Sequence, residues 1–397
     1  MEDSAKSAAL FLAPEAPYPV AGGGSLRSAC LLEYLASRYA VDLIVFREPG
    51  SPDPGRAIPR GLLRDSLVIE LPYHSRSRLA RLARNMSRVL RGVPPLNDRF
   101  AGFGQPIAGF LSGKRYRLAV IEHFWCAPYW EQLAPHSEAV ILDMHNLESL
   151  VMARSAALEA WPVSYVFRRF HEASLALESQ WLPRFDLVLA ASAHDASEIH
   201  EIAPSVPLHT YPNSIPWQPE PAVPVDHAIA FSGNLEYHPN ADAVRYFHAR
   251  IWPLLSSRWP DLVWRLIGKN PEAVRRLLSR DPRIQIVGPV ENAVRELGRA
   301  QVAVVPIRTG SGTRIKILEA WAAARPVVST RIGAEGLTAR DGEHLLIRDT
   351  PQQFAGAVSD LLESDGLRRQ VGRAGRALYE KEYTWESSQA NLRGAGI

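Results

Sequence analysis

Cysteine is almost missing: Cys30 and Cys126 are the only two in 397 residues. Two thiols make no disulfide framework, so both read as buried free thiols in a reducing compartment. They do not stand in Cys-x-x-Cys spacing and the histidines are scattered, so no metal motif is expected. No apolar run approaches the ~20 residues a membrane span requires. The opening MEDSAKSAALFLAPEAPYP carries Glu2 and Asp3 beside a very short apolar run, which does not read as a signal peptide. The expected location is the cytoplasm, with any membrane association peripheral and on the inner face. Excess charge is also lacking: 45 basic against 42 acidic residues leave +3, which gives no reason to expect a nucleic-acid partner. A Walker A loop, a GxSxG elbow, an HExxH helix and solenoid repeats are all absent.

What the sequence does have is alternation. Hydrophobic residues make up 46% of the chain, enough for two cores. Short apolar runs alternate with helical patterns throughout, the grammar of βα units and parallel sheets. In the first half the expected strands are Ala8–Leu12, Val41–Phe46, Leu67–Leu71, Leu118–Ile121, Ala139–Leu142 and Leu187–Ala190. Helices are expected over Ser25–Arg38, Arg76–Arg91 and, as one long element, Leu147–Trp181. Tyr211–Asp226 then carries five prolines, a density that excludes helix and central strand and reads as a semi-rigid hinge. Beyond it the strands are Ala228–Phe231, Leu262–Ile267, Ile284–Val287, Val302–Val305, Pro326–Ser329 and Leu345–Ile347, with helix over Gln352–Tyr383. The fold class is α/β, two Rossmann-like domains. The expected division is residues 1–210, a hinge at 211–226, a second domain at 227–382 and a terminal helix at 383–397. Ligands of open α/β sheets bind outside the carboxyl ends of the strands, so the site is expected in a cleft between two facing domains.

The strongest chemical segment is VVPIRTGSGTRIKILEAWAAARPVVS, residues 304–329. A buried strand, the turn Gly310-Ser311-Gly312-Thr313 and a helix start place free backbone N–H groups and a helix dipole at one point, an anion site. Arg314 and Lys316 add cations where the helix itself disfavours them, so a diphosphate fits. Glu319, one turn on, is placed to accept hydrogen bonds from a ribose diol. Two further βα turns point the same way: Gly233-Asn234 in AIAFSGNLEYHPN, where glycine allows close backbone approach, and VGPVEN, which offers a surface to a flat base near Val290.

In the first half, Gly22-Gly23-Gly24 precedes a helix containing Arg27. The third glycine of a GxGxxG fingerprint is missing, which argues against NAD, while a glycine loop with an arginine suits a phosphate or sugar. His145 lies just past one strand end, and Glu122-His123 ends the strand before it. Ser75–Gly92 holds six arginines and no acid. At helical spacing Leu79, Leu82, Met86 and Leu90 share one face and Arg81, Arg84, Arg88 and Arg91 the other. Either the apolar stripe packs on the sheet with the arginines in solvent, or the arginines dock on anionic lipid.

FSGNLEYHPNADAV, VGPVEN and GSGTRIKILEAWAAARPVVST followed by GAEGL resemble the C-terminal domain of family-4 retaining glycosyltransferases of the GT-B fold. The first half resembles them more loosely, through Gly22–Gly24, LDMHNLES, VLAASAHDASEI and YPNSIP, and the terminal YTWESSQANL resembles the helix that returns to the first domain. The resemblance implies a metal-independent, cofactor-free transfer of a sugar, with retention, from a nucleoside diphosphate sugar to an acceptor hydroxyl. UDP is the commoner nucleotide in such relatives, GDP the alternative, and polysaccharide or glycolipid assembly the expected setting. It implies that Lys316 and the Gly312–Arg314 backbone hold the diphosphate, that Glu319 binds the ribose and that Val290 meets the base. Lys316, Arg314 and His145 are the expected catalytic groups, and Gly23, Gly24, Arg27, Glu122 and His123 the acceptor side. The acceptor is a sugar, a lipid-linked molecule or a small molecule, with Arg76–Arg91 the route to a membrane surface. Glu319 matches the second glutamate of the family's Glu-x7-Glu pair, but Ser311 stands where the first belongs. Two alternatives stay open: a nucleotide-sugar 2-epimerase, against which Ser311 argues mildly, and a non-catalytic nucleotide-binding subunit, which the missing glutamate makes thinkable.

Overall fold

A computed structural model describes residues 6–20, 22–75, 77–278, 280–312 and 314–397. Arg76 and Thr313, both part of the expectations above, lie outside these. The chain divides into two compact units, one running to Pro212 and regaining Asn391–Ile397, the other Asn213–Ala390.

Unit 1 is built on seven parallel strands: β1 (Ala8–Ala13), β2 (Ala40–Arg47), β3 (Asp65–Glu70), β4 (Leu118–Glu122), β5 (Val140–Met144), β6 (Leu187–Ala190) and β7 (Leu208–Thr210). Their order is β3-β2-β1-β4-β5-β6-β7. The central strands β1, β4 and β5 are buried almost end to end, as their unbroken apolar runs require when helices cover both faces. β3 and β7 lie at the edges and are only partly covered. Two hydrophobic clusters result, one on each face of the sheet. One is built from Leu10, Ile44, Ile121 and Leu142, the other from Phe11, Leu35, Val45 and Leu189. Leu392 and Ile397 belong to the second, and the Tyr34 hydroxyl donates to the Ile397 carbonyl at 2.8 Å.

Unit 2 has six parallel strands: β8 (Ala228–Ser232), β9 (Val263–Ile267), β10 (Ile284–Gly288), β11 (Val302–Val305), β12 (Val327–Ser329) and β13 (Leu346–Ile347). The order is β10-β9-β8-β11-β12-β13. The edge strand β10 alternates between partly covered and exposed residues until Gly288, while β8 and β11 are fully buried. The proline-rich segment is tied down within this unit. Ile215 N–H donates to the Tyr383 carbonyl, the Tyr379 hydroxyl donates to the Pro216 carbonyl, and Arg376 reaches the Gln218 carbonyl.

Three helical expectations change. The long helix over 147–181 is two, Glu148–Leu158 and Val163–Trp181, separated by residues 159–162, and the helix over 352–383 is likewise two, Pro351–Glu363 and Asp365–Glu382. The arginine-rich helix forms at Arg78–Arg91 but turns the other way. Its apolar stripe faces out: Leu79 is 81% exposed, Leu82 61%, Met86 51% and Leu90 82%. The polar side is the anchored one. Arg88 is buried and donates to Asp98, as does Arg91, while Arg84 donates to the Ser75 carbonyl. The stripe therefore does not pack on the sheet, and it forgoes about 1.5–3 kcal/mol for each side chain left in water.

Candidate functional site

The loops at the carboxyl ends of β8, β9 and β10 are laced together. Gly233 N–H donates to the Ile267 carbonyl, Leu235 N–H to that of Lys269, and Gly268 N–H to that of Gly288. Asn270 Nδ2 donates to Asn234 Oδ1 at 3.0 Å. The approach is so close that a Cβ at Gly268 would fall 1.8 Å from the Gly233 carbonyl oxygen. Gly233 has φ +148°, and a Cβ there would lie 2.8 Å from Asn240 Nδ2 and 3.1 Å from Lys316 Nζ. Glycine at 233 thus leaves an amine beside bare backbone. Val290 lies two residues beyond β10 at the same carboxyl edge.

Lys316 stands in the first turn of the Ile315–Ala322 helix, whose start has neither a side-chain cap nor an acidic residue. Its Nζ donates to Asn240 Oδ1 at 2.5 Å and lies 4.5 Å from the centroid of the Phe231 ring. Burial, then the charge of Arg314, lower its pKa to about 7, although Glu319 pulls the other way. Glu319 accepts from Ser232 Oγ at 3.0 Å. Burial raises its pKa to about 7 against the opposing effects of Ser232 and Lys316. A cation this poorly compensated, beside uncapped amides, suits an anion that brings its own charge.

Arg314 is placed differently from Lys316. Its guanidinium folds back on the glycine turn, donating to the Ser311 carbonyl and, at 3.0 Å, to that of Gly312. Gly310 and Gly312 take left-handed φ of +120° and +76° in this turn. Ser311, where the resembling family has its first glutamate, is 2% exposed.

The groups expected on the acceptor side gather at the carboxyl ends of β4 and β5. Gly23 and Gly24 open the Gly23–Arg38 helix, and Ser28 one turn on donates to the Glu122 carboxylate and to the Gly24 carbonyl. Arg27, whose side chain is wholly buried, grips both oxygens of Asp143 through Nε at 3.0 and 2.9 Å and also reaches the Tyr211 carbonyl. Its guanidinium lies 4.3 Å from the Tyr211 ring centroid. Arg27 is thereby a strut between helix, sheet and Tyr211 rather than a group turned to solvent. His145 Nε2 lies 3.3 Å from Asp143 Oδ2 and 3.7 Å from Glu122 Oε1. His123, with a left-handed φ of 58°, stacks on Trp125 and approaches His145 to 3.6 Å between ring centroids.

Charges in this pocket are set by their neighbours. Burial works against the His145 imidazolium, but the Asp143 and Glu122 carboxylates outweigh it and raise its pKa. Burial, His145 and Arg27 together push His123 well below the usual histidine range, so the two adjacent rings are shifted in opposite directions. Burial raises Glu122; Arg27 and His145 hold Asp143 low despite its burial. Glu148, accepting from Trp125 Nε1 at 3.0 Å, is raised to about 7 by burial. Glu122, Asp143 and His145 could offer three ligand atoms within 4.8 Å of one another to a metal ion. With Arg27 already on both oxygens of Asp143, a second cation there would meet a guanidinium.

Sequence reading missed the roles of Asn240, Ser232 and Asp143. The only signal for Asp143 was a carboxylate in a strand otherwise apolar, VILDM.

Residues 226–364 match the family described as Glycosyl transferases group 1. Among curated proteins the chain is similar to phosphatidyl-myo-inositol mannosyltransferase of Mycobacterium tuberculosis, 30% identical over 143 residues, covering 34% of this chain and 38% of that protein. It is also 28% identical over 92 residues to an uncharacterised glycosyltransferase of Methanocaldococcus jannaschii, covering 23% of this chain and 26% of that one. The chain thus aligns with well under half the length of these curated relatives. Solved structures match over nearly the whole chain. Sucrose-phosphate synthase of Thermosynechococcus elongatus gives a TM-score of 0.77 at 17% identity, with 98% of both chains covered. Anabaena HepE, solved with UDP and glucose, gives 0.65 at 12% identity over 98% of this chain and 99% of that one. At such identities the likeness shows the fold, which is the GT-B glycosyltransferase fold expected from the sequence. No helix among the described residues is long and apolar enough to cross a membrane.

Proposed function

We propose that the protein is a retaining glycosyltransferase that moves a hexose from a nucleoside diphosphate sugar, UDP before GDP, to an acceptor hydroxyl, without metal or cofactor. The observation that carries this reading is Lys316 beside the Gly233 backbone and an uncapped helix start, within the segment matching the group 1 family. In this reading Lys316 and the Gly312 turn hold the diphosphate, and Arg314 keeps that turn in shape. Glu319, steadied by Ser232, accepts from the ribose, and the Val290 loop meets the base. Negative charge grows on the departing diphosphate, and a fixed ammonium with aligned amides stabilises it where it develops. The leaving phosphate oxygen itself takes the acceptor proton, so no separate carboxylate base is required. His145, Glu122, His123, Gly23 and Gly24 belong to the acceptor side, with Arg27 and Asp143 holding them in place. The acceptor is a sugar, small molecule or lipid-linked carrier of cell-surface polysaccharide or glycolipid assembly, met in the cytoplasm.

The test combines binding and turnover. A screen of nucleoside diphosphates and their sugars by thermal shift should single out one donor, which at 100 times its Kd stabilises the protein by about 2.7 kcal/mol. With that donor, Lys316→Ala should lower kcat by at least about 10²-fold while leaving the unliganded melting curve intact. A near-normal rate overturns the assignment. Donor turnover without any acceptor would favour the epimerase instead.

A further inference from the structure

Arg308 stands at the head of the segment that carries Lys316, three residues past β11 and just before the glycine turn. An arginine so near an anion site could reach for the anion itself, but this one is already taken. Its Nε donates to Asp242 Oδ2 at 3.0 Å and its Nη2 to Asp242 Oδ1 at 2.6 Å, a two-pronged pair. The guanidinium also lies 4.4 Å from the centroid of the Tyr246 ring. Asp242 is 2% exposed, so solvent and salt screen the pair little. The planar fork matches a carboxylate at both oxygens, which gives direction as well as strength.

Asp242 and Tyr246 sit one turn apart on the His238–Tyr246 helix and so share a face. The first turn of the same helix carries Asn240. Asn240 Nδ2 donates to the Asn234 carbonyl at 2.8 Å, which fixes the orientation of the amide, and Oδ1 accepts from Lys316 Nζ at 2.5 Å. Arg308 with Asp242 and Lys316 with Asn240 are therefore parallel ties between the same two pieces of chain. The first is ionic, two-pronged and backed by a ring. The second is a single hydrogen bond to a neutral amide. The stronger tie sets the spacing at which the weaker one forms. Its near end is itself fixed, since Thr330 Oγ1, just past β12, donates to the Ile307 carbonyl.

We propose that Arg308 is a positioning residue of the donor site: by clamping the His238–Tyr246 helix through Asp242 it fixes Asn240, and so places the Lys316 ammonium for the diphosphate. The proposal rests on the reading of Lys316 as the cation that holds the diphosphate. A lysine at 308 would supply the charge without the fork or the stacking.

A double-mutant cycle tests it, read by titration calorimetry of the full-length protein with UDP, and with GDP alongside. Arg308→Ala would leave a buried carboxylate unpaired and endanger the fold, so Arg308→Lys, which keeps a cation beside Asp242, is the variant of choice. It should weaken nucleotide binding about tenfold in the otherwise wild-type chain, and less than about twofold in Lys316→Ala, where the group it positions is gone. Asn240→Ala as the background should mask the effect in the same way. Asp242→Asn, which spoils one prong from the other side, should show the same dependence on Lys316. A residue that merely supports the fold would cost the same affinity in every background. Equal losses with and without Lys316, or an Arg308→Lys protein that binds like wild type, overturn the proposal and leave the diphosphate reading standing. Wild-type protein that binds neither nucleotide overturns both.

Discussion

Both units hold polar groups at the carboxyl ends of a parallel sheet, and they handle charge in opposite ways. At the carboxyl ends of β4 and β5 in unit 1 opposite charges sit together: Arg27 with Asp143, His145 between Asp143 and Glu122. In unit 2 the Lys316 ammonium has a neutral amide, an aromatic face and a distant carboxylate. The first arrangement is complete and rigid; the second is electrostatically short of an anion. A balanced cluster holds shape, whereas an unbalanced one is ready for a ligand.

The contrast makes its largest difference to stability. Asp143→Ala removes the counter-charge of a fully buried guanidinium and should cost about 3–5 kcal/mol, read as a lowered midpoint in urea unfolding. Lys316→Ala, in contrast, should leave that midpoint unchanged or raise it, because it removes a poorly compensated charge. Equal losses in the two variants would erase the distinction. The next effect is on pH dependence. The unliganded Lys316 has a pKa of about 7, and a bound diphosphate raises it. Affinity for the nucleoside diphosphate should therefore fall as pH rises above 7, approaching tenfold per unit, until the bound-state pKa is passed. Calorimetry in buffers of different ionisation enthalpy should show proton uptake on binding near pH 8, and Lys316→Ala should abolish it. A flat affinity between pH 7 and 9, in wild type, would show that the amine is already fully charged. The smallest effect is that of Gly233→Ala. Its Cβ would displace Lys316 and Asn240, weakening nucleotide binding about tenfold, while the left-handed φ costs about 1–3 kcal/mol. Isothermal titration beside a urea curve separates the two.

The sheets were legible in the sequence because strands covered on both faces must be continuously apolar, and twelve such runs stood out. β7, Leu-His-Thr at a half-covered edge, has no such pattern. The Lys316 segment was legible because its chemistry is local: glycines, cations and helix start lie within a few residues. The unit 1 cluster was not, since Arg27 and Asp143 meet across 116 positions and nothing in either neighbourhood names the other. Periodicity gave the two faces of the arginine-rich helix correctly. Which face turned inward was decided by Asp98, outside the helix, and amphipathicity alone does not carry that information.

The return of residues 391–397 to unit 1 has a consequence for how the molecule is made. Leu392 and Ile397 fill the same cluster as Leu35 and Phe11, which precede the whole of unit 2 in the chain. Unit 1 is thus completed by residues that follow the whole of unit 2 in the chain, so its second cluster cannot close before unit 2 has been made. A chain arrested at Pro212 would carry all seven strands and still have an opening beside Tyr34, where the last segment belongs.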